Sequence, residues 1–528
     1  MGQVAPRAGQ IRTSSRDREV FWGGNMAAIK ERVALKRIRF QSSGRFDDEW
    51  PLEDEPTRSH HLYHGRLPYR KMRVVVDADL LKDVGSPTEL AARNLLSCLL
   101  EHRLLSVLRY ADEGPDSSVE RNRDGACKGW VFVDSHDPGN GWIVVVSVDQ
   151  DRAGQRLVRE QEMDNDEGDS RIEVYLDLTP SEARRKKEAD LLAVQVARTV
   201  GADVFITERE FLRIRSRDVE HGPIVCSVEE SLGVLGLYLR SQGEFPVKRN
   251  LSLDRNQYYW VGAKELLPEG WRWLAACTKD AGEYIESRMP HLGVSLFQRI
   301  ARVLELRDQI HTNLNRPQNT GTHEAALSIL DSVLLFLQGA VDISARVAHR
   351  VLALKKERRA NFLTEEWLKE VQARAPLLAS VVKDDRQGHK DLGILSVMRN
   401  SIHGAALRGI IVSHQHFDES LVDLPAKDSQ DLCSWIETLG GNQVWGLRAM
   451  PGGRFSVDPG MFADRLICAV LVLLNDVMKD TPFERLANVV LTEADRGPPI
   501  SGGIDAWIFG RSIRQSIRWQ IGLSIKAF

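Results

Sequence analysis

Residues 171–212, RIEVYLDLTPSEARRKKEADLLAVQVARTVGADVFITEREFL, decide the fold of the first half of this chain. Residues 172–176 and 204–207 are short β-rich runs, and residues 181–200 between them have the periodicity of a helix. This alternation predicts right-handed crossovers in a parallel sheet. Ligands of such sheets bind beyond the carboxyl ends of the strands, and Glu208 directly follows the second run.

Two further acidic residues are expected at the same edge of the sheet. Residues 72–81, MRVVVDADLL, begin with a hydrophobic strand that ends in Asp77, and Asp190 lies in the helical segment 18 residues before Glu208. Hydrolysis of phosphodiesters by two divalent ions needs several converging carboxylates, because Mg²⁺ and Mn²⁺ take oxygen ligands. The sequence therefore predicts a Mg²⁺ or Mn²⁺ site in which Asp77 bridges the ions, while Asp190 and Glu208 hold the second position and activate water.

The order and spacing of these motifs resemble those of a PIN-like nuclease domain. In the C-terminal half of that family an Asp opens a helix, a small residue and Gly follow, and a strand ends in a Thr-x-acid element. Residues 222–238, GPIVCSVEESLGVLGLY, look like the family's last strand and closing helix. The resemblance covers residues 72–245, with a long insertion around residues 110–170, and implies a metal-dependent nuclease.

The predicted acidic site leaves alternatives open. Asp79 and Glu210 each lie two residues beyond a predicted ligand and are further candidates, and the additional acid that the family usually supplies from a helix is Glu89 or Glu101. In the competing interpretation, Asp190 is one of many surface acids on a charged helix, and the acid after the second β-rich run merely follows a strand.

A second motif lies in residues 392–407, LGILSVMRNSIHGAAL, a predicted helix in which Arg399 and His403 share one face. This pattern resembles the HEPN family of helical domains, many of which are RNases that act as dimers, and the resemblance covers residues 292–480. It implies metal-independent RNA cleavage, with His403 handling the proton of the 2′-hydroxyl or of the leaving group and Arg399 stabilising charge on the phosphate. Only three residues separate Arg399 from His403, fewer than in the nuclease version. The alternative is therefore a structural role for both residues within a bundle.

The composition indicates an ordinary globular protein of two to four domains, with 528 residues and a formal net charge of −3. That charge gives no global argument for nucleic-acid binding, which would depend on local patches. The six cysteines are widely spaced, which favours reduced thiols, and no secretory signal is visible, so we expect a cytoplasmic protein. We also expect no membrane segment, because the most apolar runs are interrupted by polar residues or too short to cross ~30 Å of hydrocarbon.

These patterns predict an α/β domain followed by an all-α domain. Leucine spacing in residues 86–109 predicts one helix or a helix pair, and residues 130–132 and 142–148 predict a hairpin. The predicted divisions are a flexible leader at 1–71, the PIN-like domain at 72–245, a connector at 246–291, the HEPN-like helical bundle at 292–480 and an unassigned tail at 481–528.

The two resemblances together imply an RNA-cleaving effector of the toxin or phage-defence kind, with RNA as its partner and a homodimer formed through the helical bundle. This step rests on analogy, because a fold hosts many functions. The alternatives are a non-catalytic scaffold that binds RNA or protein, a DNA-directed nuclease that uses only the acidic site, and a metal-independent RNase that uses Arg399 and His403.

Overall fold

A computed structural model of the chain describes residues 62–63, 71–81, 86–112, 129–138, 140–149, 152–158, 178–209, 211–212, 223–280, 288–383, 386–404, 406–413, 418–425, 429–499 and 508–523. The predicted strand at residues 172–176, most of the predicted leader and Glu210 lie outside these ranges.

The N-terminal half is built on one sheet of seven described strands. They are β1 (Met72–Asp77), β2 (Leu105–Ala111), β3 (Gly129–Asp137), β4 (Gly141–Asp149), β5 (Arg152–Val158), β6 (Val204–Ile206) and β7 (Ile224–Cys226). Their order in the sheet is β5-β4-β3-β2-β1-β6-β7. The five strands in the order β3-β2-β1-β6-β7 are all parallel to their neighbours. The strands β3, β4 and β5 form an antiparallel meander at one edge of the sheet.

Three helices, α1 (Pro87–Leu100), α2 (Pro180–Thr199) and α3 (Val228–Ser241), cover the sheet. Each begins with a capping box, in which the N-cap hydroxyl and a Glu three residues later satisfy each other's free backbone N–H groups. Side chains of α1 and α3 join one apolar cluster with Val74 and Val76 of β1, whereas those of α2 join another with Val75. Since alternate residues of a strand face opposite sides, the helices lie on both faces of the sheet.

The direction of the strand order changes between β1 and β6. The chain moves outward from β1 to β2 and β3, and later returns to place β6 and then β7 on the other side of β1. Val76 of β1 is paired with Ile206 of β6, so the carboxyl ends of the two strands lie side by side. Open α/β sheets bind ligands at such a reversal point, which is next to Asp77.

The prediction of helical structure throughout residues 86–109 is wrong in its second half. The helix α1 ends at Leu100, and β2 follows from Leu105 to Ala111, with Leu105 paired to Met72 of β1. All but the last residue of β2 are buried. A strand that is buried on both faces lacks a regular alternation of apolar and polar residues, so periodicity alone does not separate it from a buried helix.

The C-terminal half is mainly helical and shares one apolar cluster that runs from Phe245 to Leu523. The long helices α6 and α7 pack on each other and, with α10 and α13, form a bundle. The described helices are α4 (Arg255–Glu265), α5 (Gly270–Lys279), α6 (Met289–Leu314), α7 (Thr320–Val351), α8 (Glu365–Arg374), α9 (Pro376–Ser380), α10 (Gln387–Gly404), α11 (Ser429–Thr438), α12 (Asn442–Trp445), α13 (Pro459–Asp480) and α14 (Arg511–Ile521).

This half is not purely helical, which departs from the all-α prediction. A hairpin of β8 (Pro246–Lys248) and β9 (Leu251–Ser252) precedes α4. An antiparallel sheet with the order β10-β11-β13-β12 is inserted between α10 and α13; its strands are β10 (Gly409–Ser413), β11 (Asp418–Asp423), β12 (Leu447–Met450) and β13 (Arg454–Val457).

Several predicted boundaries also shift. Residues 365–380 form two helices, α8 and α9, because Pro376 has no N–H and forces Ala375 out of helical geometry (φ −141°). The predicted connector and tail belong to the helical core, to which they contribute Trp273 and Ile517, both fully buried. The predicted flexible leader includes Leu62 and Tyr63, and the structure buries both side chains.

The two halves meet around the buried side chain of Arg240 on α3. Its guanidinium donates to both carboxylate oxygens of Asp308 on α6, at 2.6 and 3.1 Å, and to the backbone carbonyl of Gln520 on α14 at 3.0 Å. A Cβ atom added to Gly236 of α3 would lie 2.9 Å from the Gln520 Cβ, so glycine is needed for this close approach. The helix α14 thus joins the two halves, since Trp519 contacts the α/β core and Ile517 the helical one.

Helix α7 is the one described helix that is long and apolar enough to span a membrane by length and composition. Within its most apolar window, 56% of the residues are buried inside the protein. The leucines at 327, 330, 334 and 337 of this helix all lie in the helical core.

Candidate active site

The structure brings Asp77 and Asp190 together at the carboxyl edge of the seven-stranded sheet. Asp77 is the last residue of β1 and is 7% exposed, and Asp190 on α2 is 2% exposed. The guanidinium of Arg209, in the segment that follows β6, donates from Nε to Asp77 Oδ2 at 2.9 Å and from Nη1 to Asp190 Oδ1 at 3.2 Å. Because one planar group reaches both, the two carboxylates lie within about 8 Å of each other.

A third carboxylate, which the sequence analysis missed, completes this cluster. Asp112 directly follows β2, and its two oxygens accept from Arg209 Nη2 at 3.0 and 2.9 Å. The Tyr110 hydroxyl donates to Asp112 at 2.9 Å, and the Tyr110 ring lies 5.4 Å from the Arg209 guanidinium carbon. The sequence analysis predicted a helix through residues 105–108. Without a predicted strand there, nothing marked Asp112 as a residue at the end of a strand.

Thr207 fixes the position of the Asp77 carboxylate. Its hydroxyl donates to Asp77 Oδ2 at 3.0 Å, and its backbone N–H donates to the Cys226 carbonyl of β7 at 2.9 Å. The Thr207 hydroxyl also accepts the backbone N–H of Arg209 at 3.2 Å. Thr207 therefore links the ends of β1 and β7 to the segment that carries Arg209.

The structure gives Glu208 a different partner. Its Oε1 accepts the backbone N–H of Val228, the first residue of α3, at 2.9 Å, where a carboxylate is favoured by the free N–H groups and the helix dipole. In a Thr-x-acid element that begins at Thr207, the acid position is Arg209, and the assignment of Glu208 to that position is wrong by one residue. A cation, Arg209, thus occupies the position at which the sequence resemblance predicts an acid.

Both helical candidates for the further acid have partners outside the cluster. Glu89 forms the capping box of α1 with Ser86, and its carboxylate accepts the Ser86 backbone N–H at 2.7 Å. Glu101 follows α1 just before β2 begins, which places it at the opposite edge of the sheet, where it pairs with Arg249 at 2.9 Å. The Asp79 side chain and Glu210 lie outside the described residues.

The local charges hold Arg209 in its ionised form. Burial works against the charge, but attraction to Asp77 and Asp112 and the hydrogen bonds to both raise the pKa of Arg209 above its ordinary value. Burial and the neighbouring Asp112 raise the pKa of Tyr110, which therefore stays neutral and acts as a donor. The site consists of three carboxylates around one permanent cation.

The donor chemistry of this cluster suits a hard divalent ion, since carboxylate oxygens are the ligands that Mg²⁺ and Mn²⁺ prefer. In the present arrangement the guanidinium lies among these oxygens. Within the described residues, no group of three or more His, Cys, Asp or Glu side chains is placed to hold a metal ion as it stands. The carboxylates fit such an ion only in an arrangement from which the guanidinium has moved.

The second predicted motif lies on one helix. The bounds of α10 include Arg399 and His403, and the His403 side chain falls outside the part of the chain that the structure describes. Arg399 Nη1 donates to the side-chain oxygen of Asn400 at 3.0 Å, whereas its Nε is buried and has no hydrogen-bond acceptor among the described residues. Arg399 is therefore held by a neighbour on its own helix.

Helix α10 also carries a buried acid, Asp391, which is 2% exposed and has one carboxylate oxygen that receives no hydrogen bond from any residue that the structure describes. Burial raises its pKa to about 6, against the attraction of Arg465 and a hydrogen bond from Gln387. Between its ordinary pKa and pH 6 the folded state binds more protons than the unfolded state, so stability falls as the pH rises.

We expect Asp391→Asn to be more stable than the wild type at pH 7.5 by about 2 kcal/mol, because asparagine avoids the cost of ionisation. The difference should disappear near pH 4, where Asp391 is protonated in the folded protein. Urea unfolding at pH 4, 5, 6 and 7.5 measures this. Equal pH dependence in both proteins would show that Asp391 is not the responsible group.

Comparisons of the chain with models of known protein families, with curated proteins and with solved structures give no match.

Proposed function

We propose that the α/β half hydrolyses phosphodiester bonds of nucleic acid, with RNA as the preferred substrate, in the presence of Mg²⁺ or Mn²⁺. The observation that carries this proposal is the convergence of Asp77, Asp112 and Asp190 on a single cation. They come from the ends of two adjacent parallel strands and from a crossover helix, and they meet at the reversal point of the sheet.

Asp77, Asp112 and Asp190 would hold the divalent ion, which when bound stabilises negative charge on the phosphate and acidifies a water molecule. The other residues of the site position these ligands. Thr207 directs its hydroxyl to Asp77, and Tyr110 does the same for Asp112. The hydroxyls of Thr207 and Tyr110 do not titrate near neutral pH. They therefore remain hydrogen-bond donors and orient the two carboxylates.

One observation favours a second candidate function, a non-catalytic module that binds RNA or protein. Arg209 occupies the acid position of the Thr-x-acid element and donates to all three carboxylates. If this pairing is permanent, the site is a structural ion cluster and the chain acts only by binding.

The test is cleavage by the purified protein of single-stranded and structured RNA, and of DNA, with Mg²⁺, with Mn²⁺ or with EDTA. We expect metal-dependent cleavage that EDTA abolishes and that His403→Ala leaves unchanged. Cleavage that resists EDTA and leaves a cyclic phosphate would assign the activity to Arg399 and His403 instead. Binding of RNA without cleavage under any metal would support the non-catalytic module.

A further inference from the structure

We infer that Arg209 is an internal competitor of divalent ions for Asp77, Asp112 and Asp190, and that it sets the divalent-ion affinity of this site. The inference rests on the proposed function for the role of the metal. It concerns only how this chain controls access to the carboxylates.

The competition follows from the geometry. Arg209 donates from Nε to Asp77, from Nη1 to Asp190 and from Nη2 to Asp112, so each of its three nitrogens occupies a different carboxylate. A divalent ion ligated by these groups needs the same oxygen lone pairs within ~2.0–2.6 Å. The guanidinium and the ion therefore exclude each other from the centre of the cluster.

The contacts of Arg209 differ in strength, which gives the exchange a starting point. The Arg209 side chain is 15% exposed, and its pairs with Asp77 and Asp190 are shielded from water. The Asp112 side chain, in contrast, is 56% exposed. Ion pairs that reach solvent are weak, because water competes for both partners. The bond to Asp112 is therefore the first to break when an ion approaches from solvent.

Charge favours the exchange once it has begun. Among the contacts described above, one guanidinium faces three carboxylates, and a divalent ion brings twice the charge of the guanidinium to the same oxygens. Arg209 belongs to neither a strand nor a helix, and its long side chain can turn away without disturbing β6.

The experiment measures Mn²⁺ binding to the full-length protein by isothermal titration calorimetry, without substrate. We expect Arg209→Gln to bind Mn²⁺ at least ~10-fold more tightly than the wild type, since it removes the competing charge. Arg209→Lys keeps a charge that forms a single point contact, and its affinity should lie between the two. Arg184→Gln removes an exposed cation that pairs with Glu188 on α2, and it should bind Mn²⁺ like the wild type.

Thermal unfolding gives a second measurement and reports whether each variant folds. In EDTA we expect Arg209→Gln to melt below the wild type, because its carboxylates repel one another, and Mn²⁺ should raise its melting temperature more than that of the wild type. If Arg209→Gln does not fold, the comparison of Arg209→Lys with the wild type decides. Equal Mn²⁺ affinity for the wild type and the variants would overturn the inference.

The outcomes for this inference and for the proposed function are separable. Tighter Mn²⁺ binding by Arg209→Gln without nucleic-acid cleavage would support the competition and remove the nuclease proposal. Metal-dependent cleavage by the wild type with unchanged Mn²⁺ affinity in Arg209→Gln would support the nuclease proposal and overturn the competition.

Discussion

Asp77→Asn is expected to reduce metal-dependent phosphodiester cleavage by at least ~100-fold. Groups that only orient metal ligands contribute roughly 10- to 100-fold, and Asp77 is a proposed ligand itself. Asparagine keeps the size of the side chain and an oxygen that accepts from Thr207 and Arg209, so the fold should persist. Initial rates of RNA cleavage at saturating Mn²⁺ measure the effect.

The matched control for this substitution is Asp418→Asn. Asp418 is the first residue of β11 in the helical half, and its side chain is exposed, so its replacement should leave the rate unchanged. Thermal unfolding of both variants checks that their folds are intact. A cleavage rate for Asp77→Asn within a factor of three of the wild type would show that the acidic cluster is not the active site.

Arg240→Met is expected to lower the free energy of unfolding by about 3–5 kcal/mol, the usual cost of removing one partner of a buried ion pair. Arg240 is fully buried and donates to Asp308, to the Tyr258 hydroxyl at 3.2 Å and to the Gln520 carbonyl. Burial disfavours the Asp308 carboxylate, and attraction to Arg240 outweighs it and lowers the pKa of Asp308. Without Arg240 the Asp308 carboxylate stays buried but loses the cation that donates to both of its oxygens. Urea unfolding measures the loss.

Two further variants separate charge from packing. Arg103 pairs with Glu244 at 2.8 Å on the surface, and Arg103→Met should cost less than ~1 kcal/mol because water already satisfies both groups. The double variant Arg240→Met with Asp308→Leu removes both charges and should be more stable than Arg240→Met alone. If Arg240→Met lost no more stability than Arg103→Met, the buried pair would not hold the two halves together.

The sequence predicted those parts of the sheet whose signals are local. The strands β1 and β6 are apolar runs bounded by charged residues, and both lie in the parallel part of one sheet, as predicted. The strand predicted at residues 172–176 lies outside the described residues. The helix α2 lies between a Thr-Pro start and a Gly that follows its end, both of which are readable without the fold. Asp77 and Asp190 were identified for the same reason, because each occupies a position fixed by one of these elements.

The remainder of the site depends on contacts between distant segments. Arg209 meets Asp112 across 97 positions of sequence and Asp77 across 132, and nothing in their neighbouring residues indicates that they touch. Since β2 is buried on both faces, its leucines suit a helix equally well. Without a predicted strand there, the sequence did not mark Asp112 as the residue that follows a strand. In the helical half, β10 to β13 are short strands of a small sheet, and the long amphipathic helices before and after them gave the stronger sequence signal.

Helix α14 has a consequence for the time course of folding. Gln520 accepts a hydrogen bond from Arg240, which precedes it by 280 residues. At the usual rates of protein synthesis, roughly 15 to 60 s pass between the appearance of these two residues. During that interval α3 is exposed on the side that α14 later covers, and Arg240 lacks one of its partners. Burial of Arg240 is therefore a late event in the biogenesis of this protein, and the α/β half must avoid aggregation until it occurs.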